Sequence, residues 1–263
     1  MLKKRLMGVV TVKNGWAVQS FGYQRYLPLG KPECLVENLN RWGADEILVQ
    51  VIDASTKGLG PDFKLLEKIS QLGLETPLVY AGGIRNLEDA VKVIQMGADR
   101  LVVDALLHAN LGEVIQISQR LGAQAVIASL PLSWSGQELL WFNYLKGQLH
   151  PFPESLLNLM HSETISEVFL CDYLHEGQER GFETALVDHF PNPKVPLIAF
   201  GGLSSAPQLQ DLLSRTQISA VAIGHFLTYL EHALQAYKEA LFGMPIRPSK
   251  YETRFSLLSH VNT

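Results

Sequence analysis

Two glycine pairs, Gly82-Gly83 and Gly201-Gly202, each follow a short apolar run and precede an amphipathic one. With no side chain in the way, such a turn lets a phosphate approach backbone N–H groups at a helix N-terminus. Two such turns point to a ligand with two phosphates, although a glycine pair serves a tight strand-to-helix turn equally well. Asp104-Ala105, Gly177 with Gly181, and Gly224 fall at or after the ends of other apolar runs and complete the candidate phosphate contacts. The polar residues at comparable positions are Thr11, Lys13, Asp53, Asp104, Asp172, His175, Glu176 and His225. Acid–base chemistry would need two of them in complementary protonation states. Each also has a plainer role: Asp104 and His225 can cap helices, His175 and Glu176 can be a solvated loop pair, and Cys171 can be a small buried side chain. At the starts of the runs stand Arg5, Glu46, Arg100 and Glu167, two charges of each sign. They either neutralise one another as a plug or form a polar gate, and on charge balance alone they read as a plug.

The elements that must position these residues form a repeating pattern. Runs rich in Val, Ile and Leu alternate with amphipathic stretches, which predicts strand-helix units around a parallel sheet. The expected strands are Leu6–Val12, Glu46–Ile52, Pro77–Tyr80, Arg100–Asp104, Gln124–Leu130, Glu167–Cys171, Pro196–Phe200 and Ala220–Ile223. They show little apolar-polar alternation, as expected of strands buried on both faces. A helix is expected over Asn86–Gly97, capped by Asn86 and stopped by Gly97. Eight such units in 263 residues predict an α/β fold, a single (β/α)8 TIM barrel whose functional residues sit at the carboxyl ends of the strands. The turn around Gly82-Gly83 is echoed around Gly201-Gly202, so the barrel reads as two half-barrels, about 1–120 and 121–244. Residues 131–152 interrupt the pattern and read as a hairpin inserted after the fifth strand, with 245–263 a C-terminal extension.

The composition is that of an ordinary globular protein, 47% hydrophobic and 18% charged. A net charge of −4 offers no electrostatic footprint for nucleic acid. No run reaches the length of a membrane span, and the two cysteines fit neither a disulfide framework nor a zinc site. A cytoplasmic protein with no cofactor, no metal, and no nucleic-acid or membrane partner is expected.

Several segments together resemble the cyclase subunit of imidazole glycerol phosphate synthase, over nearly the whole chain. They are Met1-Leu2-Lys3-Lys4-Arg5, Val12-Lys13-Asn14-Gly15, Gly43-Ala44-Asp45-Glu46-Ile47, Asp53-Ala54-Ser55, Ala81-Gly82-Gly83-Ile84, Gly97-Ala98-Asp99-Arg100, Gly122-Ala123-Gln124-Ala125-Val126 and Phe200-Gly201-Gly202. In that family a class I glutaminase docks on the amino-end face and passes ammonia through four charged residues. The resemblance carries those onto Arg5, Glu46, Arg100 and Glu167, and a docking-face carboxylate onto Asp99, which shifts the reading from plug to gate.

The chain departs from the family where the chemistry lies. The two catalytic aspartates of the family fall on Thr11 and on Pro131 or its neighbour Leu130. The family's first-loop lysine falls on Gln19, the aspartate ending strand two on Val51, and the asparagine ending strand four on Asp104. Such losses argue against ring closure, since each proton-transfer group is worth about 10²–10⁴ in rate. The chain then resembles the divergent branch of surface-polysaccharide biosynthesis. There, a glutaminase heterodimer partner and a cyclase-like barrel feed ammonia to a separate sugar-amidating enzyme, for amino-group transfer to a phosphorylated or nucleotide-linked sugar. Two alternatives stand beside it: a true cyclase of histidine biosynthesis using Asp53, Asp104 or Glu176, and a non-catalytic scaffold. The extension, with Arg247, Lys250 and Arg254, either docks a partner or is mobile.

Overall fold

The apolar runs of the sequence need cover on both faces, and closure of the sheet provides it. The computed structural model describes residues 4–229 and 232–251. Its strands are β1 (Arg5–Lys13), β2 (Trp16–Phe21), β3 (Arg25–Gly30), β4 (Glu46–Val51), β5 (Leu78–Ala81), β6 (Arg100–Val103), β7 (Val126–Trp134), β8 (Leu139–Asn143), β9 (Gln148–Pro151), β10 (Glu167–Asp172), β11 (Leu197–Phe200) and β12 (Ile218–Ile223). Between and after them run α1 (Pro32–Trp42), α2 (Phe63–Ser70), α3 (Leu87–Gln95), α4 (Ala105–Ala109), α5 (Leu111–Leu121), α6 (Glu154–His161), α7 (Ala185–Asp188), α8 (Ala206–Ser214) and α9 (Ala233–Ala240). The parallel order β1-β4-β5-β6-β7-β10-β11-β12 returns to β1, where Arg5 pairs with Ala220, so the barrel is closed by eight strands. It is a (β/α)8 TIM barrel.

Side-chain alternation divides the core in two. Met7, Leu48, Val102, Ile127, Phe169 and Ile198 fill the barrel interior, while Leu6, Ile47, Leu101, Val126, Val168 and Leu197 pack outward under the helices. The expected helix begins as read, with the Asn86 side chain accepting the Asp89 N–H at 2.9 Å. The two Gly-Ala-Asp segments acquire a physical reason at the amino rim. The Asp45 carboxylate accepts the Leu6 N–H at 2.8 Å, and Asp99 accepts the Leu78 N–H at 2.7 Å, each tying one strand to the start of its neighbour.

The structure differs from the sequence reading in three places. The fifth barrel strand does not run over Gln124–Leu130: Ala123–Ala125 forms a 3-10 turn, and β7 continues through Pro131 to Trp134. Proline is tolerated there because the β6 ladder on one side ends at Ala128, and β8 pairing begins only at Leu132. Within residues 131–152 the antiparallel pair β8–β9 forms a hairpin, and its pairing with β7 extends it into a three-stranded ribbon, β7-β8-β9. Aromatic stacks fasten it: Trp141 on His108 at 3.6 Å, Trp134 on His189 at 4.2 Å, and Phe142 on Tyr173 at 4.4 Å. The antiparallel β2–β3 hairpin after the first strand is a further element that the strand-helix reading passed over.

The end of the described chain lies against the amino-end face. Pro245 accepts the Lys4 N–H at 3.0 Å, and Lys250 pairs with Glu75 at 2.9 Å. Arg254, in the expected extension, lies outside the described residues. Nearby, Lys238 of α9 is fully buried, donating to the Gly43 carbonyl at 2.6 Å and to Asp45 at 2.9 Å. Removing its charge leaves the Asp45 carboxylate buried without a counter-ion. Lys238→Met should therefore lower unfolding free energy by about 3–5 kcal/mol in urea titrations, and adding Asp45→Asn should recover part of the loss.

Candidate functional site

The floor of the barrel is a closed ring of charge. Arg5, Glu46, Arg100 and Glu167 begin β1, β4, β6 and β10 with their side chains directed to the axis. Arg5 bridges Glu46 at 3.3 Å and also Glu167, while Arg100 bridges Glu46 at 3.0 Å and Glu167 at 2.6 Å. Ser219 donates to Glu167, and Arg100 donates to Ser166 at 2.7 Å. Both carboxylates are under 10% exposed. Burial pushes the Glu167 carboxyl up, but the charges of Arg5 and Arg100 outweigh it and hold the group below the usual carboxylate range. Burial also pulls the Arg5 guanidinium down, and Glu46 and Glu167 reverse that. Every charge of the ring has an ion-pair partner, although Glu46 Oε2 and Glu167 Oε2 accept no hydrogen bond of regular geometry, and the apolar interior begins directly above it at Met7, Leu48 and Phe169. Asp99 sits exposed on the same face, one oxygen held by the Leu78 N–H.

At the opposite end lies a cavity of about 580 Å³. Gly82, Gly83, Asp104, Ala105 and Asp53 line it, as expected of strand ends. The hairpin and the ribbon wall it in with Tyr23, Tyr26, Phe142 and Tyr144, joined by Tyr173 after β10. Tyr23 is held at φ +52°, a left-handed conformation costly for tyrosine, and its hydroxyl lies 3.4 Å from Gln50 and 3.7 Å from Cys171. Pro131 lines the cavity and Thr11 is buried, while Leu130 packs outward into the helix-facing core. Gln19 lies within β2, opposite Leu27, away from the cavity lining.

The ionisable groups here differ in their ties. Burial pushes the Asp53 carboxyl up, but hydrogen bonds from Lys57 and the Asn14 N–H more than offset this and leave it below the ordinary range. Lys13 lies over the Tyr26 ring, 3.5 Å from its centroid. Asp104 has no such support. Its Oδ1 is sealed from solvent without a hydrogen-bond partner, and burial pushes its carboxyl up to about 7. It precedes α4 but makes no side-chain cap.

The second glycine pair lies in a separate, much smaller hollow of about 10 Å³, with Gly177, Gly224 and His225. The backbone geometry of the two pairs matches closely. A Cβ on Gly82 would stand 2.3 Å from the Val51 carbonyl, and one on Gly201 would stand 2.3 Å from the Asp172 carbonyl. A Cβ on Gly83 would meet Gly60, and one on Gly202 would meet Gly181 and Phe182. Close backbone packing therefore requires both pairs, whatever they bind. The β2–β3 hairpin covers this side. Gly177 leaves room for the Ser20 carbonyl, and Phe21 lies 4.9 Å from His225. Glu176 is buried beneath, accepting from Ser20 Oγ at 3.0 Å and the Tyr23 N–H at 3.1 Å, so it anchors the hairpin and is no part of a solvated pair. Burial pushes its carboxyl up and that of Asp172 likewise, while burial brings His225 down to about 4. Asp172 orients His175 at 2.7 Å and accepts the Glu183 N–H at 2.7 Å.

Sequence reasoning missed the aromatic wall and Gln50. The signal for Tyr23 was present in Phe21-Gly22-Tyr23, a turn between alternating runs. Nothing local distinguished Tyr144 or Tyr173 from core aromatics. Among the described residues no group of three His, Cys, Asp or Glu side chains could hold a metal ion, and no helix is long and apolar enough to cross a membrane.

A family model described as histidine biosynthesis protein matches residues 5–233. A putative imidazole glycerol phosphate synthase subunit hisF2 of Pseudomonas aeruginosa is 27% identical over 233 residues, 87% of this chain and 92% of that protein. A putative subunit HisF of Leptospira interrogans is 29% identical, covering 95% of this chain and 98% of its own. An imidazole glycerol phosphate synthase subunit HisF of Staphylococcus carnosus is 25% identical, covering 84% and 88%.

The strained carboxyl of Asp104 sets a pH dependence. Its folded-state pKa lies above the unfolded value, so the folded chain binds the extra proton, and stability falls as pH rises from the ordinary aspartate range to about 7. Asp104→Asn should flatten that slope and raise stability at about pH 8 by about 1–3 kcal/mol, read from urea midpoints at acid and alkaline pH.

Proposed function

Because the chain belongs to the histidine biosynthesis protein family, among the cyclase subunits of imidazole glycerol phosphate synthase, we propose that it is a barrel subunit turned from ring closure to nitrogen delivery. It receives ammonia from a class I glutaminase bound at the amino-end face around Asp99, as a heterodimer. It supports amino-group transfer to a phosphorylated or nucleotide-linked sugar in surface-polysaccharide biosynthesis, with a separate sugar-amidating enzyme carrying out the transfer to the sugar. One observation carries this reading: the ring of Arg5, Glu46, Arg100 and Glu167 is complete, while the mouth holds Thr11 and Pro131 where the family places its aspartates.

The chemistry follows from charge. Ammonium would have to lose its hydration to pass the apolar interior above the ring, which costs far more than moving neutral ammonia. A ring that breaks and remakes its ion pairs can admit the small neutral molecule, while the interior at Met7, Leu48 and Phe169 supplies no hydrogen-bond acceptors to replace the water that ammonium would lose. At the mouth, a threonine hydroxyl and a proline cannot exchange protons near neutral pH as carboxylates do. The glycine turns at Gly82-Gly83 and Gly201-Gly202, with Ala105, Gly177 and Gly224, are proposed to hold the phosphate groups. The unpartnered Asp104 keeps one alternative open, a true cyclase that uses this carboxyl as its substitute acid.

Two measurements separate these readings. Supplied with ammonium and the phosphoribulosyl substrate of the family, the purified chain should close the imidazole ring at least about 10⁴-fold more slowly than a family cyclase, and turnover at the cyclase rate would restore the histidine-pathway enzyme. In complex with its glutaminase, Arg5→Ala or Glu167→Ala should leave glutamine hydrolysis running while nitrogen-transfer product falls at least about tenfold. Unchanged coupling in both variants removes the gate.

A further inference from the structure

Among the described residues that line the cavity at the carboxyl end, Asp104 has a buried carboxylate oxygen, Oδ1, with no hydrogen-bond partner. No cation contributes to the shift of its carboxyl. The cavity's two cations are engaged elsewhere, Lys57 with Asp53 and Lys13 over the Tyr26 ring. Two groups close enough to feel its charge are neutral near pH 7. Tyr144 of the ribbon feels its charge, as does the Cys171 thiol of β10, and burial pushes both groups up. Phe142 and Tyr173 stack nearly parallel at 4.4 Å on the same cavity wall. His108 on α4 is turned into its stack with Trp141, and burial brings it down to about 4, so it supplies no positive charge near neutrality.

A carboxylate can only accept hydrogen bonds, and the faces of aromatic rings attract cations. A bare carboxylate walled by rings lacks a group with N–H donors, a positive charge and little bulk. We propose that this end of the cavity binds the protonated nitrogen of a small organic amine, held by Asp104 and faced by the rings of Phe142, Tyr144 and Tyr173. The Gly82-Gly83 turn lines the same 580 Å³ space, which leaves room for a ligand that is cationic at one end and anionic at the other. The amine site does not depend on the ammonia route, because neither the ring at the floor nor a glutaminase takes part in it.

Calorimetric titration of the whole chain with benzylammonium chloride tests it, with benzyl alcohol as the neutral match in shape. Benzylammonium should bind saturably at one site in the millimolar range, at least about tenfold tighter than the alcohol. Asp104→Asn keeps the size and removes the charge, and should weaken benzylammonium at least about tenfold without lowering the urea midpoint. Tyr144→Phe should bind as the parent does and Tyr144→Leu several-fold less tightly, which keeps the test independent of any one variant. Affinity should rise as pH passes upward through about 7 and Asp104 loses its proton, with proton release seen as buffer-dependent heat. Equal binding by Asp104→Asn, equal binding of the alcohol, or affinity that falls with rising pH overturns the proposal. So does a titration that shows no saturation by about 50 mM.

Discussion

Four charges on a barrel axis can be buried only if they neutralise one another, and that requirement fixes much of this molecule. A single carboxylate among Met7, Leu48 and Phe169 would face a desolvation cost of several kcal/mol, whereas the alternating ring of Arg5, Glu46, Arg100 and Glu167 shares its charge through four ion pairs. The pairs cross the axis between β1, β4, β6 and β10, so their lengths set the relative heights of those strands. Slipping one strand by a residue would turn its charged side chain outward into the helix-facing core. The Asp45 and Asp99 carboxylates reinforce the same register by receiving the first N–H groups of β1 and β5. Floor and register are thus one problem with one solution, and that solution leaves a charged layer where most barrels of this kind carry apolar ones.

The mouth obeys a different constraint. Strands β1 and β7 run past the barrel rim and fold back as the hairpin and the ribbon. Both bring aromatic side chains that have to be packed: Tyr23 enters between Gln50 and Cys171, and Trp141 covers His108. The hairpin's anchor, Glu176, is buried, with its carboxylate satisfied by hairpin donors, so it organises the mouth and is withdrawn from chemistry. This closes one half of the rim down to about 10 Å³ and leaves the other half open at about 580 Å³. A barrel with matched glycine turns on both sides therefore presents an asymmetric mouth: the aromatic residues of the ribbons wall the larger cavity, while His225 and Phe226 after β12 line the small hollow.

The barrel strands were legible because burial on both faces writes an unbroken apolar run, which chain-distant contacts cannot disguise. The floor charges were legible for the same reason, since Arg5 or Glu167 at the head of such a run has few places to go. The hairpin was not, because β3 is half exposed and carries Pro28, so Arg25–Gly30 reads as loop. The end of β7 was misplaced by Pro131, which ordinarily ends a central strand and here falls where one neighbour has stopped and the next has not begun. Glu176 looked solvated because its partners, Ser20 and Tyr23, lie about 150 residues away in sequence, a distance that no local pattern spans.

The substitution of Thr11 and Pro131 is better understood together with Asp104 than alone. A family aspartate pair at the ends of the first and fifth strands would place two more carboxylates in a mouth that already contains Asp104 with no counter-ion. Three like charges around one small apolar-walled space repel, and each would push the proton affinity of the others upward. With threonine and proline in those places, Asp53 keeps its charge answered by Lys57, Asp104 keeps a carboxyl pushed up to about 7, and aromatic rings line the space beside them. Such a mouth is poorly suited to paired acid–base work and better suited to holding one positive charge. The floor, by contrast, keeps both its carboxylates because both are paired. Paired charges below and a carboxyl without a counter-ion above thus coexist in one barrel.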